Sequence, residues 1–337
     1  MSANPLPRPY LVFLGDAPTV PLAKTAFGLR DWRPDEVVGQ ARLPGCGVDL
    51  GVPELTPAEA VGRGARSLLI GVAPIGGAMP PAWVPTLLAA LEAGLDLVSG
   101  LHSRLVDIEP LREAAARLGR SLHDVRHPDR AFPIATGRKR SGKRLLTVGT
   151  DCALGKKYAA LAIARALRER GVDVDFRATG QTGIMIAGQG VAIDAVVADF
   201  IAGAAEWLSP DAAPRHWDVI EGQGSLLHPA YAGVSLGLLH GSQPDALVMC
   251  HDPARKHLHG YPDYPIAGLG EAIEAATKAA RLTNPAARVV GISLNTAASD
   301  LGAAQALMDE IAAAHGLPCF DPLRTSLEPL VEKVLSL

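Results

Sequence analysis

The stretch Val148-Gly-Thr-Asp-Cys-Ala-Leu-Gly-Lys-Lys157 decides the fold of the second half of this chain. Before it stands a short apolar run, Arg144-Leu-Leu-Thr-Val148. After it comes Lys156-Lys-Tyr-Ala-Ala-Leu-Ala-Ile-Ala-Arg-Ala-Leu-Arg-Glu-Arg170, rich in helix formers and stopped by Gly171. A strand, a glycine-bounded loop and a helix together build a phosphate cradle. Backbone N–H groups and the helix N-terminus face the anion, and a lysine adds a point charge. An apolar strand candidate, Val172-Asp-Val-Asp-Phe-Arg-Ala178, follows at once and completes a βαβ unit. The plain alternative is an ordinary strand-to-helix turn. On the cradle reading, Gly149, Thr150, Asp151, Cys152, Ala153, Leu154, Gly155, Lys156 and Lys157 are the expected cofactor-binding residues. The loop departs from the common pattern twice. Five residues rather than four separate Gly149 from Gly155, and Lys157 stands where a magnesium-binding Ser or Thr is usual. The second departure asks whether the bound phosphate is ever hydrolysed.

At 337 residues the chain is long enough for two domains of roughly 150 residues. Its 32 basic and 35 acidic side chains nearly balance, so no global field favours nucleic acid or an anionic membrane. Cys46, Cys152, Cys250 and Cys319 show no pair spacing, which argues against a disulfide framework or a zinc site and suits a reducing cytoplasm. Prolines interrupt the N-terminal run Met1 to Pro9, so no signal peptide is expected. No stretch approaches the ~20 apolar residues of a membrane span. The expected partners are small-molecule substrates and further copies of the same chain.

Residues 1–130 read as an N-terminal Rossmann-like α/β domain with a parallel sheet. Strand candidates are Tyr10–Gly15, Ser67–Ala73 and Leu95–Ser99, and helix candidates are Pro81–Gly94 and Pro110–Gly119. The turns Gly15-Asp-Ala-Pro-Thr19 and Ala73-Pro-Ile-Gly-Gly-Ala-Met79 sit at strand ends without matching a dinucleotide fingerprint. Residues 131–143 lose periodicity and read as a linker, in which Arg138-Lys-Arg140, with Lys143-Arg144 just beyond, reads as a solvated basic cluster. Residues 144–337 form the expected C-terminal P-loop domain, a doubly wound parallel sheet. Its further strand candidates are Trp217–Ile220, Asp245–Cys250, Ala287–Leu294 and Gly316–Phe320, and Ala192 to Trp207 reads as one helix carrying Asp194 and Asp199.

Open parallel sheets place ligands at strand C-termini. Glu221 ends an apolar strand about seventy residues past the loop, where an acid holding a metal or its water is expected. A carboxylate capping the next helix is the alternative. The turn Glu221-Gly-Gln-Gly-Ser225 lets backbone approach a substrate, with Gln223, Ser225 and His228 facing the same cleft. The loop His251-Asp-Pro-Ala-Arg-Lys-His-Leu-His259 suits carboxylates or phosphates, with Arg255 and Lys256 as the expected clamp, or is a solvated loop. Its histidine spacing matches no common metal pattern, so no metal ligand is assigned. Gln181 and Thr182 are candidate substrate contacts, and Asn295 a candidate nucleobase contact.

Gly149-Thr-Asp-Cys-Ala-Leu-Gly-Lys156 and Glu221-Gly-Gln-Gly224 resemble, in order and character, the two motifs of dethiobiotin synthetase and its P-loop relatives. That resemblance implies an ATP- and magnesium-dependent ligase or kinase with Glu221 on the metal, an activity that Lys157 speaks against. The whole chain more closely resembles a bacterial and archaeal family long catalogued as a domain of unknown function. The carriers are Gly149–Lys157, Thr179-Gly-Gln-Thr-Gly-Ile-Met-Ile186, Asp218-Val-Ile-Glu-Gly-Gln-Gly-Ser-Leu-Leu-His-Pro229 and His251-Asp-Pro-Ala-Arg-Lys256. This resemblance implies a Rossmann-like domain, a P-loop domain, and transfer of acetyl from acetyl-CoA to the α-amine of D-glutamate. A P-loop can hold coenzyme A phosphates without hydrolysing them, so Mg²⁺ is compatible with the site but not expected to be required. Acyl transfer needs a neutral amine and a polarised carbonyl. His228 or Glu221 is the expected proton acceptor, with His251 next in line.

Overall fold

The computed structural model describes residues 5–74, 77–128 and 130–337. Within the features read above, Met1 to Asn4 of the N-terminal run and Ile75 and Gly76 of the 73–79 turn lie outside them. Contacts divide the chain into two compact units, Met1–Arg130 with Gly180–Ala195, and Ala131–Thr179 with Val196–Leu337.

The first unit begins with β1 (Tyr10–Gly15), α1 (Lys24–Trp32), β2 (Val37–Arg42), α2 (Pro57–Gly62) and β3 (Ser67–Ile70). It continues with α3 (Val84–Glu92), β4 (Asp96–Ser99), α4 (Glu109–Leu118) and β5 (Leu122–Asp124). The sheet is parallel with order β2-β1-β3-β4-β5. Every residue of β1 is buried, as expected of a strand covered on both faces, and that is why it reads as an unbroken apolar run. Helix α4 ends on Gly119 at φ 62°, and α2 starts on a capping box between Thr56 and Glu59.

The second unit carries β6 (Lys143–Gly149), α5 (Lys156–Glu169) and β7 (Val174–Arg177). The chain then supplies α6 (Gln181–Ala187) to the first unit, although the sequence reading placed this segment in the second. Next come α7 (Ile201–Leu208), β8 (Trp217–Ile220), α8 (Ala232–Ser242) and β9 (Ala246–His251). A small antiparallel hairpin follows, β10 (His257–Leu258) and β11 (Tyr261–Pro265). Then α9 (Leu269–Ala280), β12 (Arg288–Leu294), α10 (Leu301–His315), β13 (Cys319–Phe320) and α11 (Glu328–Leu335) complete the unit. Its six-stranded parallel sheet runs β13-β12-β9-β6-β8-β7.

Alternation along these strands sorts the core. Leu145, Val219, Val248 and Val290 face Ile163 and Leu167 of α5 and Leu330 and Val334 of α11. Leu146 and Met249 turn to the other face, toward Leu238 and Leu239 of α8 and Ala272 and Ala276 of α9. Phosphate-loop geometry thus emerges at the C-terminal ends of the two central strands, β9 and β6.

Two expectations are corrected here. Residues 192–207 do not form one helix. They contain two separate turns of 3₁₀ helix, Ile193–Ala195 and Ala198–Phe200, and only then α7. The division between the units falls between those turns, so Asp194 and Asp199 belong to different units. The basic cluster at 138–144 is likewise no plain solvated linker. Arg144 is fully buried, and its guanidinium donates to Ser209 Oγ and to the carbonyls of Arg140, Ser141, Gly142, Ser209 and Pro210. Arg140 donates to the carbonyls of Ser209 and Gly241 and to Gln243 Oε1. These arginines satisfy main-chain acceptors where the sheet begins, a use that composition alone does not reveal.

Candidate functional site

The loop after β6 turns on two left-handed residues, Ala153 at φ 52° and Gly155 at φ 101°. Gly155 then caps α5, so the helix N-terminus opens into the loop. Lys156 is fully buried, and its Nζ donates to the Asp151 carbonyl at 2.7 Å. Burial holds this ammonium below the usual lysine range, against the pull of the Cys250, Cys152 and Asp151 side chains. A phosphate in the loop would supply the missing counter-charge. Lys157 Nζ lies 4.9 Å over the Tyr158 ring.

Asp151 is the hub. Its Oδ2 accepts from Arg255 Nη1 at 2.8 Å and from the His259 amide at 2.8 Å, while Oδ1 accepts from the Cys152 amide at 2.6 Å. Burial alone would raise its pKa, but the Arg255 guanidinium and the two amides together hold the carboxyl below its ordinary value. Arg255 also donates to the carbonyls of Cys152 at 2.7 Å and Ala153 at 3.3 Å. Its donors brace the loop, a use beyond the expected clamp on an acceptor carboxylate. Lys256, the other half of the expected clamp, is exposed.

The glycine turn beside the loop is fixed by contact. A Cβ on Gly222 would lie 1.6 Å from the Thr147 carbonyl oxygen, so only glycine lets the turn approach β6. Thr147 Oγ1 accepts from the Gly222 amide at 2.9 Å and donates to the Lys156 carbonyl at 3.3 Å. Glu221 is buried. Its Oε2 accepts from the Thr179 amide at 3.0 Å, and its carbonyl accepts from Thr179 Oγ1 at 2.5 Å. Gln223 Nε2 donates to the same hydroxyl at 3.0 Å, and Ser225 Oγ accepts from the Leu227 amide at 3.2 Å. Behind the turn lies a mainly apolar cavity of about 20 Å³, bounded by Gly149, Gly222, Leu146, Leu239 and Met249.

The two histidines differ in what their nitrogens do. His228 is buried, stacked on Tyr231 at 4.5 Å and against the edge-on ring of Tyr261 at 5.0 Å. Its Nδ1 accepts from the Ala230 amide at 3.1 Å, so in the neutral ring Nε2 carries the proton. That N–H points toward the His259 carbonyl at 3.5 Å and Asp151 Oδ1 at 3.8 Å. A ring so enclosed, with its Nδ1 lone pair engaged by an amide, packs the loop against the hairpin. Asp151, Cys152 and His228 bring candidate metal-ligand atoms within 4.8 Å of one another, but the carboxylate is already committed and Nε2 holds its proton. His251, at the end of β9, pairs Nδ1 with Thr150 Oγ1 at 2.9 Å. Burial, reinforced by nearby Arg255 and opposed by Asp252, holds His251 below the ordinary imidazole pKa, so it is neutral at pH 7. When Thr150 accepts from Nδ1–H, Nε2 carries a lone pair.

Three candidates remain. Gln181 and Thr182 start α6 in the first unit, where Gln181 Oε1 accepts from Arg126 at 3.0 Å and Thr182 Oγ1 lies 2.7 Å from Thr25 Oγ1. Both belong to the first unit, although the sequence placed them within the P-loop domain. Asn295 directly follows β12, and its Oδ1 accepts from the Ala297 amide at 3.2 Å. The sequence alone did not single out Thr147 or the His259 amide. The signal for Thr147 was present, a single hydroxyl inside the apolar run of β6. No sequence pattern announces a backbone amide.

The fold and loop define a two-domain protein whose second domain is of the P-loop class. The chain belongs to the DUF1611 family. Its P-loop domain model, described as Domain of unknown function (DUF1611_C), matches residues 133–331, and its Rossmann-like domain model (DUF1611_N) matches residues 41–128. A D-glutamate N-acetyltransferase from Tritonibacter scottomollicae is 52% identical over 324 residues, covering 96% of this chain and 97% of the relative. Another protein of the same name, from Pseudoalteromonas sp., is 48% identical over 96% of this chain and 97% of its own length. The crystal structure of a DUF1611 family protein from Anabaena variabilis superposes with a TM-score of 0.86 at 35% identity, covering 97% and 99% of the two chains.

Proposed function

We propose that this N-acetyltransferase moves acetyl from acetyl-CoA to the α-amine of D-glutamate, with the P-loop holding coenzyme A phosphates. The observation that carries the reading is identity near 50%, over almost the full length of both chains, to two D-glutamate N-acetyltransferases. The loop geometry supports the donor assignment. Lys156 and the start of α5 form a preorganised anion site, and Lys157 takes the place of the hydroxyl that a hydrolysing P-loop gives to magnesium.

The chemistry follows from the polar groups near the loop. The acceptor's ammonium loses a proton to His251 Nε2, whose lowered pKa leaves it neutral and whose orientation Thr150 fixes. The free amine attacks the thioester carbonyl. The C–S bond then breaks as the second proton of the attacking nitrogen passes to the departing sulfur, so that coenzyme A leaves as the thiol. Glu221 holds Thr179, which in turn receives Gln223, so the carboxylate orders the turn. The proposal includes a cytoplasmic, self-associating enzyme. All four cysteines are free thiols, and among the described residues no helix is long and apolar enough to cross a membrane.

The test is parallel titration of acetyl-CoA and ATP–Mg²⁺ into the native enzyme and Lys156→Ala. A cation meeting an anion in a partly dry site is worth ~1.5–3 kcal/mol, so acetyl-CoA affinity should fall roughly 10–100-fold in the variant. Turnover should proceed without ATP and in the presence of a chelator. A strict requirement for ATP and Mg²⁺ would replace this reading with the ligase one.

A further inference from the structure

Three of the chain's five tyrosines gather in one cluster beside the phosphate loop. Tyr231 stacks face-to-face on His228 at 4.5 Å, Tyr261 meets His228 edge-on at 5.0 Å, and Tyr264 meets Tyr261 edge-on at 5.9 Å. The cluster is tied to the loop twice, through His228 Nε2 at 3.8 Å from Asp151 and through the His259 amide on the same carboxylate. Although aromatic residues make up only 4% of the chain, Tyr231 is 46% exposed and Tyr264 50% exposed. Tyr231 also packs against the glycine turn, since a Cβ on Gly224 would meet its side chain at 2.9 Å.

An aromatic ring stacked on one face and half open to solvent, in a cluster tied to an anion site, suits a ligand that joins a phosphate to a flat heteroaromatic group. We infer that the open side of Tyr231, with Tyr264 further along the same cluster, is the platform on which the nucleobase of the phosphate-bearing donor stacks. The inference rests on the donor reading above and adds to it the residue that recognises the donor's nucleobase. Tyr231, and Tyr261 of the β10–β11 hairpin, pack on the same His228 ring, and Asp151 fastens the hairpin to the loop, so the base and phosphate sites form as one piece. Stacking depends on the ring and not on the phenol, so phenylalanine should serve as well.

The experiment measures affinity for acetyl-CoA and for S-acetyl-4′-phosphopantetheine, which keeps the thioester and one phosphate but lacks the adenine nucleotide. Native enzyme, Tyr231→Ala, Tyr231→Phe and Tyr264→Ala are compared, with thermal midpoints as the check on folding. Base stacking predicts that Tyr231→Ala weakens acetyl-CoA by ~5–100-fold, leaves the truncated donor within about 2-fold, and is rescued by Tyr231→Phe. Tyr264→Ala, at an exposed edge that folding does not need, should show the same selectivity at smaller size. Equal losses for both donors, or no loss for either, would overturn the platform while native binding of acetyl-CoA keeps the donor reading intact. Failure of the native enzyme to bind acetyl-CoA would remove the donor reading itself, and the platform with it.

Discussion

His251 and His228 occupy neighbouring parts of one site and are assigned opposite duties by their hydrogen bonds. His251 has one nitrogen on Thr150, whereas His228 accepts an amide on Nδ1 and lies enclosed by two tyrosines. His251→Asn should therefore lower kcat by the 10²–10⁴-fold expected of a lost general base, with acetyl-CoA affinity nearly unchanged. Because the folded environment holds His251 below the ordinary value of about 6.5, the acid limb of the native pH–rate profile should inflect below that pH. His228→Ala should instead lower the thermal midpoint and weaken donor binding, since it removes a ring packed against the loop and hairpin. A pH profile unchanged by His251→Asn, with kcat within threefold of native, would move the base elsewhere.

At the scale of elements, the loop and the segment after β9 behave as one assembly fastened by Arg255 and Asp151. Arg255→Ala leaves a buried carboxylate with two amides and no counter-ion. The charge-assisted bonds it removes are worth about 1.5–3 kcal/mol, and the affected parameter should be donor affinity rather than the KM of the amino acid. A rise confined to the amino-acid KM would restore the clamp.

A second fastening lies at the opposite end of the sheet. There His216 bridges Asp173 at 3.0 Å and Asp218 at 3.1 Å. Burial would lower its pKa, but the bonds to Asp173 and Asp218 raise it above the ordinary value. A raised folded-state pKa contributes stability that is fully present below about pH 6.5 and is lost as pH rises through the folded value. Urea midpoints of native protein and His216→Asn should thus differ most at acid pH and converge as the medium becomes alkaline. A gap that widens with pH would contradict this.

These fastenings also mark what the sequence could reveal. The strand–loop–helix around Gly149 to Lys156 was legible because its glycines, lysine and apolar period are all local. So were β1 and α4, each with its own stop or burial pattern. Arg144 and Arg255 were not legible in the same way. Their partners are carbonyls and a carboxylate far along the chain, and a charged side chain in a loop looks the same in sequence whether it meets solvent or folds inward.

At the scale of the whole molecule, two α/β units interleave in sequence, because residues 180–195 leave the P-loop unit and join the Rossmann-like one. Alternating strands and helices carried the class of both units, but not this exchange. Nothing in the composition of Gly180 to Ala195 distinguishes a helix that serves the neighbouring sheet. The segment also takes Gln181 and Thr182 with it.

The central claim, acetyl transfer from acetyl-CoA to D-glutamate, is most directly tested by one assay on the full-length enzyme. Coenzyme A thiol release is followed with D-glutamate, L-glutamate, D-glutamine and D-alanine, with no nucleotide triphosphate added, and the product is identified by mass. The account predicts one thiol released per N-acetyl-D-glutamate formed, with D-glutamate the preferred acceptor. Equal rates with all four acceptors, a preference for L-glutamate, or thiol release without an acetylated amine would contradict it.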